Sequence, residues 1–239
     1  MSKFKKITIL VPSYDEEYTI REVIEKVKQA SLPRDLEKEI IVVDDGSRDG
    51  TREKLSEISG IQVFFHDKNQ GKGAAIKTGI RYATGDIILI QDADLEYDPQ
   101  DYPVITQPIL SGFVEFVVGS RFLYEQPKFF TKNGDPFFSH FIGNWIIIWL
   151  TNFLYGQNMT DYEGGYKAFT HSLAQSIPIR ANGFEFENEL ICKSIRQGYK
   201  IVEVPIHYKP RLYSEGKKIG WRDGLVILWT ILKWRFKHF

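Results

Sequence analysis

The sequence predicts an α/β protein built on a mostly parallel sheet with helices on both faces. Three observations carry this. Over the first 120 residues, short runs rich in Ile, Val and Leu alternate with amphipathic stretches, the pattern of strands buried on both faces and joined by crossover helices. Several of those runs stop abruptly at acidic, Gly-containing or Ser-containing segments, at the strand ends where open α/β sheets collect ligands. With 239 residues, 43% of them hydrophobic, the chain is long enough to bury a substantial core.

Taken in order, strands are expected at Ile7–Val11, Glu39–Val43, Ile61–Phe65, Asp86–Ile90 and Glu115–Val118. Helices are expected between them at Glu16–Ala30, Asp49–Ile58, Gly73–Ala83 and Gln100–Leu110. After Ser120 the pattern changes. A loop containing Gln126-Pro127 and Asn133-Gly134 leads into an apolar run from Phe137 to Tyr155, and a second run, Leu225–Leu232, lies near the C-terminus. The second is too short to cross a bilayer, which takes about 20 residues as a helix, and Ser139, His140, Asn144 and Asn152 interrupt the first. Both, at 137–155 and 221–236, are read as amphipathic helices lying on a membrane surface, the competing reading being ordinary core or an oligomer interface.

Composition narrows the class. The composition, 43% hydrophobic and 14% aromatic with Lys+Arg and Asp+Glu at 31 each, is ordinary for a globular protein and excludes a disordered, collagenous or disulfide-scaffold chain. The lone Cys192 forms no internal disulfide, so a reducing compartment is expected, and the N-terminal apolar run before Pro12 is too short for a signal-peptide core. The expected location is cytoplasmic, peripherally associated with the membrane. From Lys209 to Phe239 there are eight Lys/Arg and two Asp/Glu, a balance of +6. All five tryptophans fall in or just before the two candidate surface helices, where indoles and nearby cations favour an anionic lipid surface. Basic residues set among tryptophans and long apolar runs argue against nucleic acid. The histidines show no metal-ligand spacing, and Cys192 is expected in the core.

The chemistry is concentrated at strand ends. The fourth strand stops at Asp92-Ala93-Asp94, with Glu96 and Asp98 following; six carboxylates and no Lys or Arg lie between Asp86 and Asp101. Uncompensated carboxylates repel one another, and a divalent cation relieves the conflict. Mg²⁺ takes one or two carboxylates and completes its shell with water and phosphate oxygens. The second strand stops at Asp44-Asp45-Gly46-Ser47, suited to ribose hydroxyls or a base edge, with Asp49 a candidate cap for the next helix. The first stops at Pro12-Ser13-Tyr14-Asp15-Glu16-Glu17. Asn69-Gln70-Gly71-Lys72-Gly73 opens a helix like a phosphate loop, without the spacing of a Walker or dinucleotide motif.

Together these segments, with GSRF, DYEGGYKAF, GFEFENEL and VEVPIHYKPRLYSEGKKI, resemble the family 2 glycosyltransferases, in the branch of dolichol-phosphate mannosyltransferase and bacterial polyprenyl-phosphate relatives. The resemblance runs through almost the whole chain. It implies a GT-A fold in one domain: a Rossmann-like nucleotide-sugar half at 1–122 and an acceptor half at 123–239. It also implies that Pro12, Tyr14, Glu16, Asp44 and Asp45 line the nucleotide pocket, that Asp92 and Asp94 hold Mg²⁺ or Mn²⁺ on the donor diphosphate, and that Glu96 can join them. Arg121 would meet phosphate; Arg211, Lys217 and Lys218 would meet donor or acceptor phosphate. In Asp161-Tyr162-Glu163-Gly164-Gly165 the chain carries Glu and Gly where relatives often have Thr and Ser, leaving Asp161 as the better match.

The activity expected is inverting transfer of a hexose from a donor of GDP-mannose or UDP-glucose type to a dolichyl or undecaprenyl phosphate. A phosphate acceptor is mostly dianionic at neutral pH and needs positioning rather than deprotonation. A metal and Arg121 would neutralise the leaving diphosphate, with Asp94, Arg121, Asp161 and Arg211 nearest the chemistry. The alternative is a glycan hydroxyl acceptor with Asp161 as general base. Any flippase or downstream transferase is expected to be a separate chain.

Overall fold

In the computed structural model, described over residues 4–33, 36–123, 138–210 and 220–239 (backbone alone at 138–141 and 221), the five expected strands form within two residues of their expected bounds. They are β1 (Lys6–Ser13), β2 (Glu37–Asp44), β3 (Gln62–Phe65), β4 (Ile87–Ile90) and β5 (Phe116–Ser120). Between them lie α1 (Ile20–Gln29), α2 (Thr51–Ser56), α3 (Lys72–Tyr82) and α4 (Tyr102–Leu110). Helix α1 buries Ile20, Val23, Ile24 and Val27, the i, i+3, i+4, i+7 stripe of a helix lying on a sheet. It starts four residues after the expected Glu16, because Glu16 and Glu17 are tied to the next strand-end loop instead: Glu16 N donates to Thr51 Oγ1 at 2.8 Å and Glu17 N to Asp49 Oδ2 at 3.1 Å.

The sheet has seven strands in the order β3-β2-β1-β4-β6-β5-β7, with β6 at Lys167–Thr170 and β7 at Ile201–Pro205. Every pairing is parallel except those of β6, which runs antiparallel to both β4 and β5. Its register sets Lys167 opposite Ile90, so β6 begins at the carboxyl end of β4 and brings residues 161–167 to the end where the acidic loops lie. Side chains alternate across the pleat: Ile7, Ile9 and Val11 of β1 join a core with α1 and α4, while Leu10 joins a second core on the other face.

That second face is covered by α3, by α5 (Phe138–Tyr155), by α7 (Phe186–Arg196) and by α8 (Trp221–Phe236); the short α6 (His171–Ser176) follows β6. The two apolar runs are thus helices with the expected bounds, and no helix among the described residues is long and apolar enough to cross a membrane. Tyr155 Oη donates to Ile231 O at 2.8 Å and Arg235 Nε to Leu154 O at 2.7 Å, joining α5 to α8. One tryptophan departs from the surface reading. Ile227, Ile231 and Trp234 share the inner stripe of α8 and are buried, so Trp234 is core. Cys192 is also buried, its thiol pushed up to about 12 by that burial.

Candidate active site

Strand order places β1 between β2 and β4, so the crossovers leave in opposite directions and open a crevice at the carboxyl ends of the strands. Ser13 and Asp44 end β1 and β2 as register partners. Both are buried, and Ser13 Oγ and Asp44 Oδ2 have no hydrogen-bond partner among the described residues. Buried polar atoms are normally paired, so this pair is what a base edge or ribose hydroxyl would satisfy. The other Asp44 oxygen, Oδ1, accepts from Arg52 Nε at 2.7 Å and Ser47 N at 3.2 Å.

The β1 and β2 loops interlock. Asp15 N donates to Ser47 Oγ at 2.9 Å and Arg48 N to Asp15 Oδ1 at 2.7 Å. Pro12 is buried at the end of β1, Tyr14 is half-buried beside it, and Glu16 accepts from Thr19 Oγ1 at 2.7 Å. Asp49, expected as a cap, accepts from Thr51 N at 3.0 Å.

Asp45, the second acid of the Asp44-Asp45 motif, ties the β2 end to the loop before α3. Its carboxylate accepts from Gln70 N at 3.0 Å and Gly71 N at 2.7 Å, and meets His66 Nδ1 at 2.6 Å. These are the amides that would otherwise make the loop before α3 an anion cradle. The protein fills that cradle with its own carboxylate. Gly71 is required there: its φ of +101° is left-handed, and a Cβ would strike Asn182 O.

Lys72 turns instead toward β4. Its Nζ lies 2.7 Å from Asp92 Oδ1 and 2.8 Å from Glu187 Oε1, in the first turn of α7. The other Glu187 oxygen meets Lys167, which also donates to Gly164 O. Burial alone would lower Lys72, but Asp92 and Glu187 outweigh it and hold the ammonium above its ordinary range. Burial likewise opposes ionisation of Glu187, and Lys167 and Lys72 hold its carboxyl below the usual value. The result is an alternating row of charges, Asp92–Lys72–Glu187–Lys167, running into the protein. Gly165 makes room for Asp92, since a Cβ there would collide with Asp92 Oδ2.

The metal reading narrows. Among the described residues no group of three or more His, Cys, Asp or Glu is gathered as a cation site, so Asp92, Asp94 and Glu96 do not form one three-carboxylate cluster. Asp94 Oδ1 accepts from Glu96 N at 3.1 Å, while Glu96 Oε2 accepts from Tyr208 Oη at 3.2 Å. Leu95 between them has φ +63°, a conformation unusual for a leucine, which bends the chain sharply just past Asp94. The donor set still suits Mg²⁺ or Mn²⁺ held by one or two carboxylates, with phosphate oxygens completing the shell.

Arg121, just past β5, is gripped by Asp161 as a fork: Nε to Oδ2 at 2.7 Å and Nη2 to Oδ1 at 2.8 Å. Asp161 is fully buried and also accepts from Arg121 N and Glu163 N, each at 3.1 Å. Its oxygens are committed to positioning Arg121. The guanidinium lies 5.2 Å from the ring centroid of Tyr208. Glu163, beside it, accepts from Asn188 Nδ2 at 2.7 Å, and its carboxyl is pushed up to about 7 by burial, with Glu187 adding to the shift. Arg211, Lys217 and Lys218 lie outside the described residues.

Lys167, Glu187 and Glu189 join the site without a local sequence signal that marks them as part of it. A solvated helix start explains the acids of α7 equally well from sequence, yet Glu187 and Glu189 are almost fully buried. A lysine beginning the short apolar strand Lys167–Thr170 is the nearest to such a signal.

Comparison with known proteins agrees with this geometry. Residues 8–178 match the glycosyl transferase family 2 domain. An uncharacterized protein of Methanocaldococcus jannaschii is 31% identical over 95% of this chain and 91% of its own. A UDP-N-acetylglucosamine–dolichyl-phosphate N-acetylglucosaminyltransferase of Methanococcus voltae is 30% identical over 95% of both chains, and the dolichol-phosphate mannosyltransferase of Pyrococcus furiosus is 27% identical over 96% of this chain and 64% of its own. In fold, glucosyl-3-phosphoglycerate synthase of Mycobacterium tuberculosis, solved with Mn²⁺, UDP and phosphoglyceric acid, superposes with a TM-score of 0.74 over 98% of this chain and 80% of its own, at 22% identity. With its GT-A sheet and its acidic strand-end crevice, this chain belongs to glycosyl transferase family 2 and is a glycosyltransferase.

Proposed function

We propose that the protein transfers a hexose, with inversion, from a nucleotide sugar to a polyprenyl phosphate at the cytoplasmic membrane face, using Mg²⁺ or Mn²⁺. The observation that carries this reading is one helix, α7, linking a charged strand-end crevice to an exposed apolar face. Glu187 in its first turn enters the crevice, and its body packs against α5 and α8. On those two helices Trp145, Trp149 and Phe153, together with Leu225, Trp229 and Phe236, are exposed, with Trp149 stacked on Phe153. Exposed aromatic and aliphatic side chains on two packed helices favour a partner surface, and indoles beside Lys233, Arg235 and Lys237 favour the headgroup region of a bilayer. The relatives named for dolichyl-phosphate acceptors support the lipid, and the Mn²⁺ and UDP held by the structural neighbour support a nucleotide donor used with a divalent metal.

In this reading Asp44 and Ser13 receive the nucleoside, and a divalent metal would supply charge neutralisation for the departing diphosphate. Asp92, with Asp94 beside it, would hold that metal. Arg121, fixed by Asp161, supplies a cation whose orientation costs nothing at the moment of transfer. The acceptor phosphate needs no base, so a buried, fully bonded Asp161 suits it better than the hydroxyl-acceptor alternative. The test is transfer from labelled UDP- and GDP-sugars to undecaprenyl phosphate in detergent with Mg²⁺ or Mn²⁺. Label should enter the organic phase and be lost in Asp92→Ala; donor hydrolysis without lipid product would remove the lipid acceptor. An α-linked product from an α-linked donor would remove inversion.

A further inference from the structure

Behind the crevice, between α7 and α8, lies a cavity of about 320 Å³ walled by Arg180, Glu185, Glu189, Trp229, Lys233 and Trp234. That volume is at the small end of ligand-binding cavities. Three cations converge on one indole of its wall: Arg180 and Lys233 line the cavity, and Lys193 is buried behind the ring. Lys193 Nζ sits 3.7 Å from the Trp234 ring centroid, Lys233 Nζ 4.6 Å and the Arg180 guanidinium 5.8 Å.

The carboxylates of the wall are bonded elsewhere than to the Arg180 and Lys233 side chains. Glu189 pairs with Lys193 at 2.5 Å and accepts from Arg180 N and Ala181 N. Glu185 accepts from Gly183 N at 3.2 Å within its own turn. Arg180 and Lys233, the two cations that line the cavity, make no ion pair among the described residues. Lys193 is accordingly lowered, by burial first and then, against the pull of Glu189, by Arg180 and Lys233. The Trp234 indole N–H, buried in the same wall, has no acceptor. Two cations without ion-pair partners on one wall, beside an indole N–H without an acceptor, favour an anion against that wall.

We propose that this cavity is a seat for a phosphate-bearing lipid headgroup, separate from the donor crevice. Val226 and Trp229, exposed on α8, form the rim on the side of the apolar face, so a headgroup held by Arg180 and Lys233 would leave its acyl chains against that face. Arg180 offers a planar fork and Lys233 a point charge, a combination suited to phosphate oxygens. The segment behind them, Ala181–Gly183, also braces the start of α3: Ala74 N donates to Asn182 O at 3.0 Å and Lys77 Nζ to Asn182 Oδ1 at 2.5 Å. Lipid seated here would therefore orient the loop that carries Lys72.

The inference rests on the membrane reading above, and the test separates the two. Vesicle co-sedimentation of the full chain is measured on phosphatidylcholine alone and with phosphatidylglycerol added. Arg180→Gln/Lys233→Gln should lose more of the binding that phosphatidylglycerol adds than the roughly 30-fold that a diffuse surface field takes from any two basic residues. The control Arg235→Gln/Lys237→Gln removes the same charge outside the cavity and should lose markedly less. Equal losses from the two pairs would mean a diffuse field and overturn the site. Trp149→Ser/Phe153→Ser should weaken binding to both vesicle types, which reads the membrane claim by itself. A tryptophan-fluorescence change with inorganic phosphate, lost in Arg180→Gln/Lys233→Gln, in a chain that binds no vesicles would overturn the lipid as ligand and the membrane reading with it. No response to phosphate or to phosphatidylglycerol would overturn the anion seat outright.

Discussion

Lys72 Nζ stands 2.7 Å from Asp92 Oδ1, so a protein ammonium occupies the carboxylate that the proposed function gives to a divalent cation. The two cations compete for one oxygen, and Glu187 on the other side of Lys72 gives the ammonium a place to remain when Asp92 is taken. Metal entry then costs one ion pair instead of unmasking a buried charge.

Lys72→Met therefore separates two roles. With Asp92 released, Mn²⁺ affinity without nucleotide should rise by about tenfold, or about 1.4 kcal/mol, while UDP or GDP affinity in the presence of metal should fall. Isothermal titration with each ligand checks this. A fall in Mn²⁺ affinity would sink the competition and leave Lys72 a structural ion.

Asp161→Asn tests whether Asp161 positions Arg121 or acts as a base. A positioning carboxylate fully buried beside a guanidinium should cost about 3–5 kcal/mol of stability when neutralised, and transfer should drop by about 10²-fold or more. Arg121→Lys, which keeps the charge without the fork, should recover part of the rate. Full native stability in Asp161→Asn, with transfer abolished, would favour the base.

Glu39 gives the fold an acid limit. Burial opposes its charge, but hydrogen bonds from Thr8 and Thr84, with Lys6 beside them, win and hold the carboxyl down at about 2. A depressed carboxylate stabilises the fold above its unfolded value of about 4.3 and loses that contribution as pH falls toward 2, here about 3 kcal/mol. Urea midpoints of Glu39→Gln should lie below wild type at neutral pH and converge with it in acid. A constant difference across that window would assign the effect to packing.

Glu163 works in the opposite direction. Its carboxyl is pushed up to about 7, so the folded chain holds a proton that the unfolded chain releases near 4.3, and stability falls as pH rises between those values. Glu163→Gln should be more stable than wild type by roughly 3 kcal/mol at about pH 8 and close to it at about pH 4. Equal stability at both would show that Glu163 ionises freely in the fold.

How much of this was legible beforehand follows from the range of each signal. Strands β1 to β5, the acids closing β1, β2 and β4, and the helices α5 and α8 were set by local periodicity and by runs that stop at polar residues. The interior of the site was not, because its partners are far apart in sequence. Lys72 and Glu187 are 115 residues apart and meet only because β6 enters the sheet antiparallel and α7 packs its first turn over α3. No local pattern distinguishes a buried Glu187 from a solvated one; the opposing ammonium groups of Lys72 and Lys167 decide it. Asp45 looked like a ligand-binding acid and serves as an internal anion for the Gln70–Gly71 amides, since whether those amides face a ligand or a carboxylate depends on how two loops come together. Trp234 counted with the surface tryptophans until the inner stripe of α8 placed it in the core. Which strand ends carry charge can be read from local runs and the residues that stop them; which of those charges neutralise one another cannot, because that balance is set by distances that only packing creates.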